Sequence, residues 1–334
     1  MYPTPIDPNL AYTGPRAAFA SITGSPLWGL TMDEVIDAAR ARGWTFHGGQ
    51  RQPTPYGLGP LVNHFATPDG RDVLWIPSYG MVLGEDWDVR GNFDKLFWVL
   101  WQAGVKVLII GGTSGIADWR RDDDAIHPGD IVLPWSFRTK TTQRGLPFTP
   151  HETFWPKHDL LLDEPFCRDG SAFLAEQFGR HVNAGTIRRV HTPVDARVAL
   201  VMPDSLTFET DYDILMWLAI NKMSSDLTPD QPPVATLHGD CINPILARSL
   251  GIHVLYYHMV SNYAQGLARG HEIADTIYDL YIRAFPQVAL DVELTTLSTY
   301  PLPADDACRC VSSVHLAPEV FSKAMTQPTP EGSI

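Results

Sequence analysis

The chain predicts an α/β fold, with helices packed on a mostly parallel sheet, and three observations carry that prediction. Compact apolar runs alternate with stretches of helical periodicity along most of its length. The run Val105 to Ile110, VKVLII, passes straight into Gly111-Gly112-Thr113-Ser114-Gly115, the kind of small-residue turn that follows a strand at a ligand-binding sheet edge. The stretch Val254 to Gly266, VLYYHMVSNYAQG, is rich in Val, Leu and Tyr, as a strand covered on both faces should be. It ends in the polar pair Ser261-Asn262.

Taken in order, residues 1–19 read as an N-terminal arm rich in Pro. Ala18 to Thr23 is a strand, closed by the turn Gly24-Ser25-Pro26. Thr31 then caps a helix, MDEVIDAARARG, with acidic residues in its first turn. Residues 45–65, rich in Gly, Pro and Gln, predict loops and a hairpin, and DVLWIP at 72–77 a buried strand. Asn92 to Ala103 has helical spacing and a Gly104 stop. Pro128-Gly129-Asp130 turns into a strand, IVLPW. Helices follow at 170–182 and 211–223, with the strand ARVALVMP between them. VATL is a short strand, Asn243 to Leu250 a short helix, and Glu272 to Phe285 a final amphipathic helix. No linker divides residues 20–298, which predict one domain. Pro, Ser and Thr dominate 299–334, which predict a poorly ordered tail.

At 334 residues, with 44% hydrophobic and 19% charged residues, the composition is that of a globular protein with a substantial core. A formal net charge of −13 argues against nucleic acid or an anionic membrane as partner. No apolar window is long enough to span a bilayer. The start, MYPTPIDPNL, has neither the basic nor the apolar region of an export signal, which predicts a cytoplasmic protein. Cys167, Cys241, Cys308 and Cys310 show no CxxC pairing, and the histidines no ligand spacing on one helical face. No metal site is expected, and His253 and His258 read as structural groups flanking a strand.

Three small-residue turns follow strands: Thr23-Gly24-Ser25, Gly111 to Gly115, and His238-Gly239-Asp240. Glycines admit a ligand close to the backbone, and hydroxyls and N–H groups hold an anion or a polyol. Each turn alone is equally an ordinary strand-to-helix connection. Asn262, at a strand end, offers an amide that donates and accepts, which suits a 6-oxopurine and also suits a plain turn. Phe208-Glu209-Thr210 precedes a helix. The ring and carboxylate either grip a flat base or simply start that helix.

In order, ITGSPL, TPYG, IPSYG, RGNF, VLIIGGTSGI, HPGDIVLP, DEPFC, TFET, LARSLGI and MVSNYAQG resemble the trimeric purine nucleoside phosphorylase family, and its methylthioadenosine phosphorylase branch above all. The resemblance implies a single-domain α/β fold whose central mixed sheet, flanked by helices, closes partly into a barrel, assembled as a homotrimer. It implies cleavage of a purine nucleoside at its N-glycosidic bond, with phosphate as co-substrate and no cofactor. Carried over by position, Asn262 and Glu209 read the base and Phe208 stacks on it. Ser25, Gly112, Thr113, His238 and Gly239 hold phosphate and ribose. His158 or His271 reaches the 5′ group.

The chain also departs from the family. Asn262 and Ala264 stand where the adenine-specific branch has Asp, which favours a 6-oxopurine. Ser78-Tyr79 replaces an Arg-His pair, and Gly239, after His238, replaces a hydroxyl residue. The strongest contacts to a phosphate dianion are thereby lost, leaving Arg90, Arg120 or Arg121 as substitutes. Alternatives follow: hydrolysis, with water activated by Asp240 or His238, or a purine-nucleoside binder without catalysis.

Overall fold

A computed structural model describes residues 7, 9–77, 93–139, 162, 164–202, 209–265, 267, 278–304, 308 and 310. Its strands in chain order are β1 (Phe19–Thr23), β2 (Thr45–Thr54), β3 (Gly57–Ala66), β4 (Asp72–Pro77), β5 (Val107–Ala117), β6 (Ile131–Val132), β7 (Ser136–Thr139), β8 (Val190–His191), β9 (Arg197–Met202), β10 (Val234–His238) and β11 (His253–Tyr263). The helices are α1 (Met32–Ala41), α2 (Phe93–Ala103), α3 (Arg168–Asn183), α4 (Asp211–Leu227), α5 (Ile242–Ser249) and α6 (Phe285–Thr299).

These strands form one mixed sheet, ordered β2-β3-β4-β1-β5-β10-β9-β7, and it branches at β5. The first half of β5 lies between β1 and β11, parallel to both. Its last two residues, Ile116 and Ala117, turn to an antiparallel pairing with β10. β11 in turn pairs with β6, and β6 with β8.

Alternate residues of the central strands face two separate cores, as a period of two requires. Ile22, Leu74, Leu108 and Tyr256 pack with α2 and α5 on one side. Phe19, Trp75, Val107 and Tyr257 pack with α1, α3 and α6 on the other. Helices on both faces explain why these strands are apolar almost without interruption. A third, smaller cluster joins Ile214 and Trp217 of α4 to Ala117 and Ala264. Among the described residues no helix is long and apolar enough to cross a membrane.

Several elements differ from expectation. The Gly- and Pro-rich stretch after residue 45 forms two ten-residue strands, with register shifts at Phe46/Gly48 and Arg51/Pro53 absorbing the awkward residues. Gly111 to Gly115 is not a turn. It stays extended within β5 because β11 pairs along its whole length, Gly111 with Tyr257 through Gly115 with Asn262. Ser261-Asn262 likewise sits inside β11, at a register shift rather than past its end. The final helix runs on to Thr299, since a segment buried almost all round shows no amphipathic contrast to read. Within the stretch expected as tail, Tyr300, Cys308 and Cys310 are buried.

Candidate active site

The branch in the sheet leaves a notch. β1 pairs with β5 only as far as Ile110, and β10 joins it only at Ile116. Between those points one edge of β5 has no strand beside it among the described residues. Such a switch of neighbours at the carboxyl ends of parallel strands is where open α/β sheets take their ligands. A cavity of about 150 Å³ occupies the notch, lined by the ends of β1 and β10, the middle of β5 and the start of α5.

Gly24 lets the chain leave β1 across this opening. A Cβ there would lie 2.2 Å from the Gly111 carbonyl oxygen, so no larger residue fits without displacing backbone. Ser25 opens a short 3-10 turn, Ser25–Leu27, that lays its hydroxyl against β5. Ser25 Oγ lies 2.6 Å from Thr113 Oγ1 and accepts the Thr113 N–H at 3.2 Å. The Thr113 hydroxyl also meets the Tyr281 hydroxyl. Two side-chain hydroxyls thus face the cavity side by side.

β10 ends in His238, and Gly239 and Asp240 follow along the cavity wall. His238 Nδ1 is 2.8 Å from Glu209 Oε2, and the Gln265 N–H donates to Glu209 Oε1 at 3.2 Å. Burial opposes ionisation of Glu209, but the His238 hydrogen bond and the nearby N–H groups outweigh it and hold the carboxyl below its ordinary value. Asp240 accepts the Ile242 N–H at 2.8 Å and the Asn243 side-chain amide at 2.6 Å, so its carboxylate also secures the start of α5.

His258, expected as an internally satisfied group, is the main correction. Its ring lies against Gly112, where a Cβ would come within 2.5 Å of Cε1. Ser114 spends its single hydroxyl proton on the His238 carbonyl. The His258 Nδ1 at 2.6 Å from Ser114 Oγ must therefore be the donor of that pair. Burial, then the charge of His238, pushes the His258 pKa down to about 3, so the ring is neutral. Its Nε2 is left as a buried lone pair without a hydrogen-bond partner among the described residues. Asn243 Oδ1 is a second such acceptor, and both residues line the cavity. A buried acceptor without a donor is costly, so each of these atoms would be stabilised by a hydrogen-bond donor brought to it.

The fold gathers Ser25, Gly112, Thr113, His238, Gly239 and Asp240 around one cavity, with Glu209 joined through His238. Asn262 does not line it. Its amide is engaged locally, accepting from Ser261 Oγ and donating to the Tyr263 carbonyl, each at 2.7 Å. Arg120 is committed to Asp118 through Nε at 3.1 Å and Nη2 at 2.7 Å, and Arg121 is exposed. Neither lines the cavity, and its described lining contains no Arg or Lys. Phe208, His158, His271, Arg90, Ser78 and Tyr79 lie outside the described residues.

Among the described residues, two groups of side chains able to ligate a metal stand away from the cavity. One is the largely exposed set His47, His64 and Asp72. The other is the buried set Cys167, His253, Cys308 and Cys310, which spacing along the chain does not reveal.

No family model matches the chain. It is 25% identical over 228 residues, 66% of this chain and 74% of the relative, to a probable S-methyl-5′-thioinosine phosphorylase of Methanopyrus kandleri. Its fold is similar to that of a methylthioadenosine phosphorylase from an Antarctic soil metagenomic library, with a TM-score of 0.63, 15% identity, and 90% and 92% of the two chains covered. It is also similar to a methylthioadenosine phosphorylase from Schistosoma mansoni in complex with adenine, with a TM-score of 0.61, 16% identity, and 89% and 98% covered. These likenesses agree with the ordered motifs: at low identity the chain is similar to a thioinosine phosphorylase in sequence and to methylthioadenosine phosphorylases in fold.

Proposed function

We propose that this divergent relative of the nucleoside phosphorylases cleaves the N-glycosidic bond of a purine nucleoside, with phosphate attacking the anomeric carbon. The observation that carries the reading is the notch beside β5, whose small cavity is lined by the paired hydroxyls of Ser25 and Thr113 and by His238, His258 and Asn243. At about 150 Å³ it is smaller than the ~300 Å³ at which whole-ligand pockets begin. It is suited to the phosphate and sugar, with the base extending toward Glu209 and the end of β11.

In the reaction the sugar gains oxocarbenium character and the leaving purine gathers negative charge. His258 Nε2 and Asn243 Oδ1 would accept hydrogen bonds from sugar hydroxyls, leaving more electron density on the sugar as positive charge develops. Ser25 and Thr113 would hold phosphate oxygens. With His258 kept neutral, His238 is the lining side chain able to oppose the phosphate charge, and Glu209 holds its imidazole in place. Asn262, released from its local bonds, would donate to O6 or N7 of a 6-oxopurine, and Glu209 would accept a ring N–H. The name of the Methanopyrus relative, a thioinosine phosphorylase, supports that choice of base.

One observation favours a second reading, hydrolysis: no Arg or Lys is among the described lining residues. A panel of inosine- and adenosine-type nucleosides, with 5′-hydroxyl or 5′-methylthio groups, incubated with and without phosphate, separates the readings. Base release that requires phosphate and favours 6-oxopurines is the expected result. Equal release without phosphate makes the protein a hydrolase, and tight binding without turnover makes it a binder. Preference for adenosine-type substrates overturns the role of Asn262.

A further inference from the structure

Three of the chain's four cysteines meet at one buried point remote from the cavity. Cys167 precedes α3, His253 begins β11, and Cys308 and Cys310 follow α6. All four side chains are buried, and their ligating atoms lie within 4.8 Å of one another. Cys167 Sγ is 3.7 Å from Cys308 Sγ and 3.9 Å from His253 Nδ1, and Cys310 Sγ is 3.3 Å from the same nitrogen. Zinc held by Zn–S bonds of about 2.3 Å and Zn–N bonds of about 2.0 Å in a regular tetrahedron places its ligands about 3.8 Å apart for S···S and about 3.5 Å for S···N. Three edges lie within about 0.4 Å of these figures. The Cys308–Cys310 edge, at 2.9 Å, is the tight one, and opening it by about 1 Å brings it to the S···S figure.

An independent observation concerns charge. Arg248 of α5 is 1% exposed, and its Nε and Nη1 have no hydrogen-bond partner among the described residues. Its guanidinium reaches Cys310. Three neutral thiols give such a cation nothing to balance it. Three thiolates on a divalent ion leave one net negative charge, which Arg248 neutralises. The cysteines are free of disulfides, as metal ligands must be.

We propose that Cys167, His253, Cys308 and Cys310 form a tetrahedral site for one structural zinc ion. Four protein ligands fill the coordination sphere, so no position is open for a substrate. The thiols give up their protons on binding, and the ion ties the segment after α6 to the starts of α3 and β11. Five residues along β11, about 16 Å, separate His253 from His258 in the cavity. The inference does not depend on the proposed reaction.

Elemental analysis of the full chain, purified without chelator from zinc-containing medium, should give one zinc per chain. Cys310→Ser and His253→Ala should each lower that to below about a tenth, and Cys241→Ser, outside the cluster, should leave it unchanged. Cobalt substituted into the wild-type protein should show tetrahedral d–d bands and thiolate charge-transfer absorption, a readout independent of variant folding. Folded wild-type protein without metal, whether its thiols titrate as four or as two plus a disulfide, overturns the proposal. Stoichiometric iron in place of zinc overturns it equally.

Discussion

At Gly24 the constraint is the carbonyl of Gly111 rather than an unusual backbone angle, since φ there is −108°. Gly24→Ala should therefore push β1 off β5, costing about 2 kcal/mol by overpacking and separating Ser25 from Thr113. A lowered urea midpoint together with at least a tenfold loss of phosphate-dependent turnover is the expected result. An unchanged midpoint would show that the contact is relieved cheaply. Ser25 and the His238-Gly239-Asp240 turn were legible in the sequence because small residues directly after apolar runs announce strand ends, whereas Thr113 drew notice as part of a turn and lies inside β5. His258 was not. Its importance comes from a hydroxyl on a different strand, Ser114, which fixes the tautomer and strands Nε2, and no local pattern records that partnership.

Helix α1 shows what an element-scale signal looks like when it is local. Thr31 Oγ1 accepts the Glu34 N–H at 3.3 Å while Glu34 Oε2 accepts the Thr31 N–H at 2.7 Å, a reciprocal cap written in four consecutive residues. Thr31→Ala should cost about 1 kcal/mol, seen as a lower denaturation midpoint with unchanged denaturant slope and unchanged nucleoside turnover. A loss of turnover at full stability would mean that α1 has a role at the site that its position does not suggest. β1, β4, β9, β10 and most helices were readable for the same local reasons, whereas β2 and β3 were hidden by their glycines and prolines. The extended course of Gly111 to Gly115 was not, because glycines have no strand preference of their own and it is β11 that holds them straight. Helix α6 escaped for the opposite reason: Val288, Leu290, Val292, Leu294 and Leu297 leave it no polar face to contrast with an apolar one.

Across the molecule as a whole, Glu293 of α6 joins β1 and β11, the two strands that flank β5. It is fully buried and accepts hydroxyl protons from Ser21 of β1 and Tyr257 of β11, each at 2.6 Å. Burial raises its pKa from an ordinary 4.5 to about 7, and these hydrogen bonds only partly offset it. The folded state thus holds this proton more tightly than the unfolded chain. The stability this confers is complete below pH 4.5 and is lost as pH rises through 7, a span worth about 3 kcal/mol. Asp130 acts oppositely. Burial disfavours its ionisation, but His191 and Arg188 prevail and hold its carboxyl below 3.8. Its contribution is present above that value and falls away in acid. Stability should therefore peak between about pH 4 and 5, and Glu293→Gln should flatten the decline toward neutrality. Denaturation at pH 5 and pH 8 checks this, and an undiminished decline in the variant would assign it to another group. The sequence offered Glu293 only as one more acid on an unread helix.

β5 is at once the central plank of the sheet and the floor beneath the proposed ligand. Any residue exchanged there to reshape the floor must also satisfy β1, β10 and β11. Evolution toward a new substrate would then leave this strand alone and work through side chains that arrive from elsewhere, such as Glu209 and Asn243. Relatives with different appetites should keep the same floor and change the furniture.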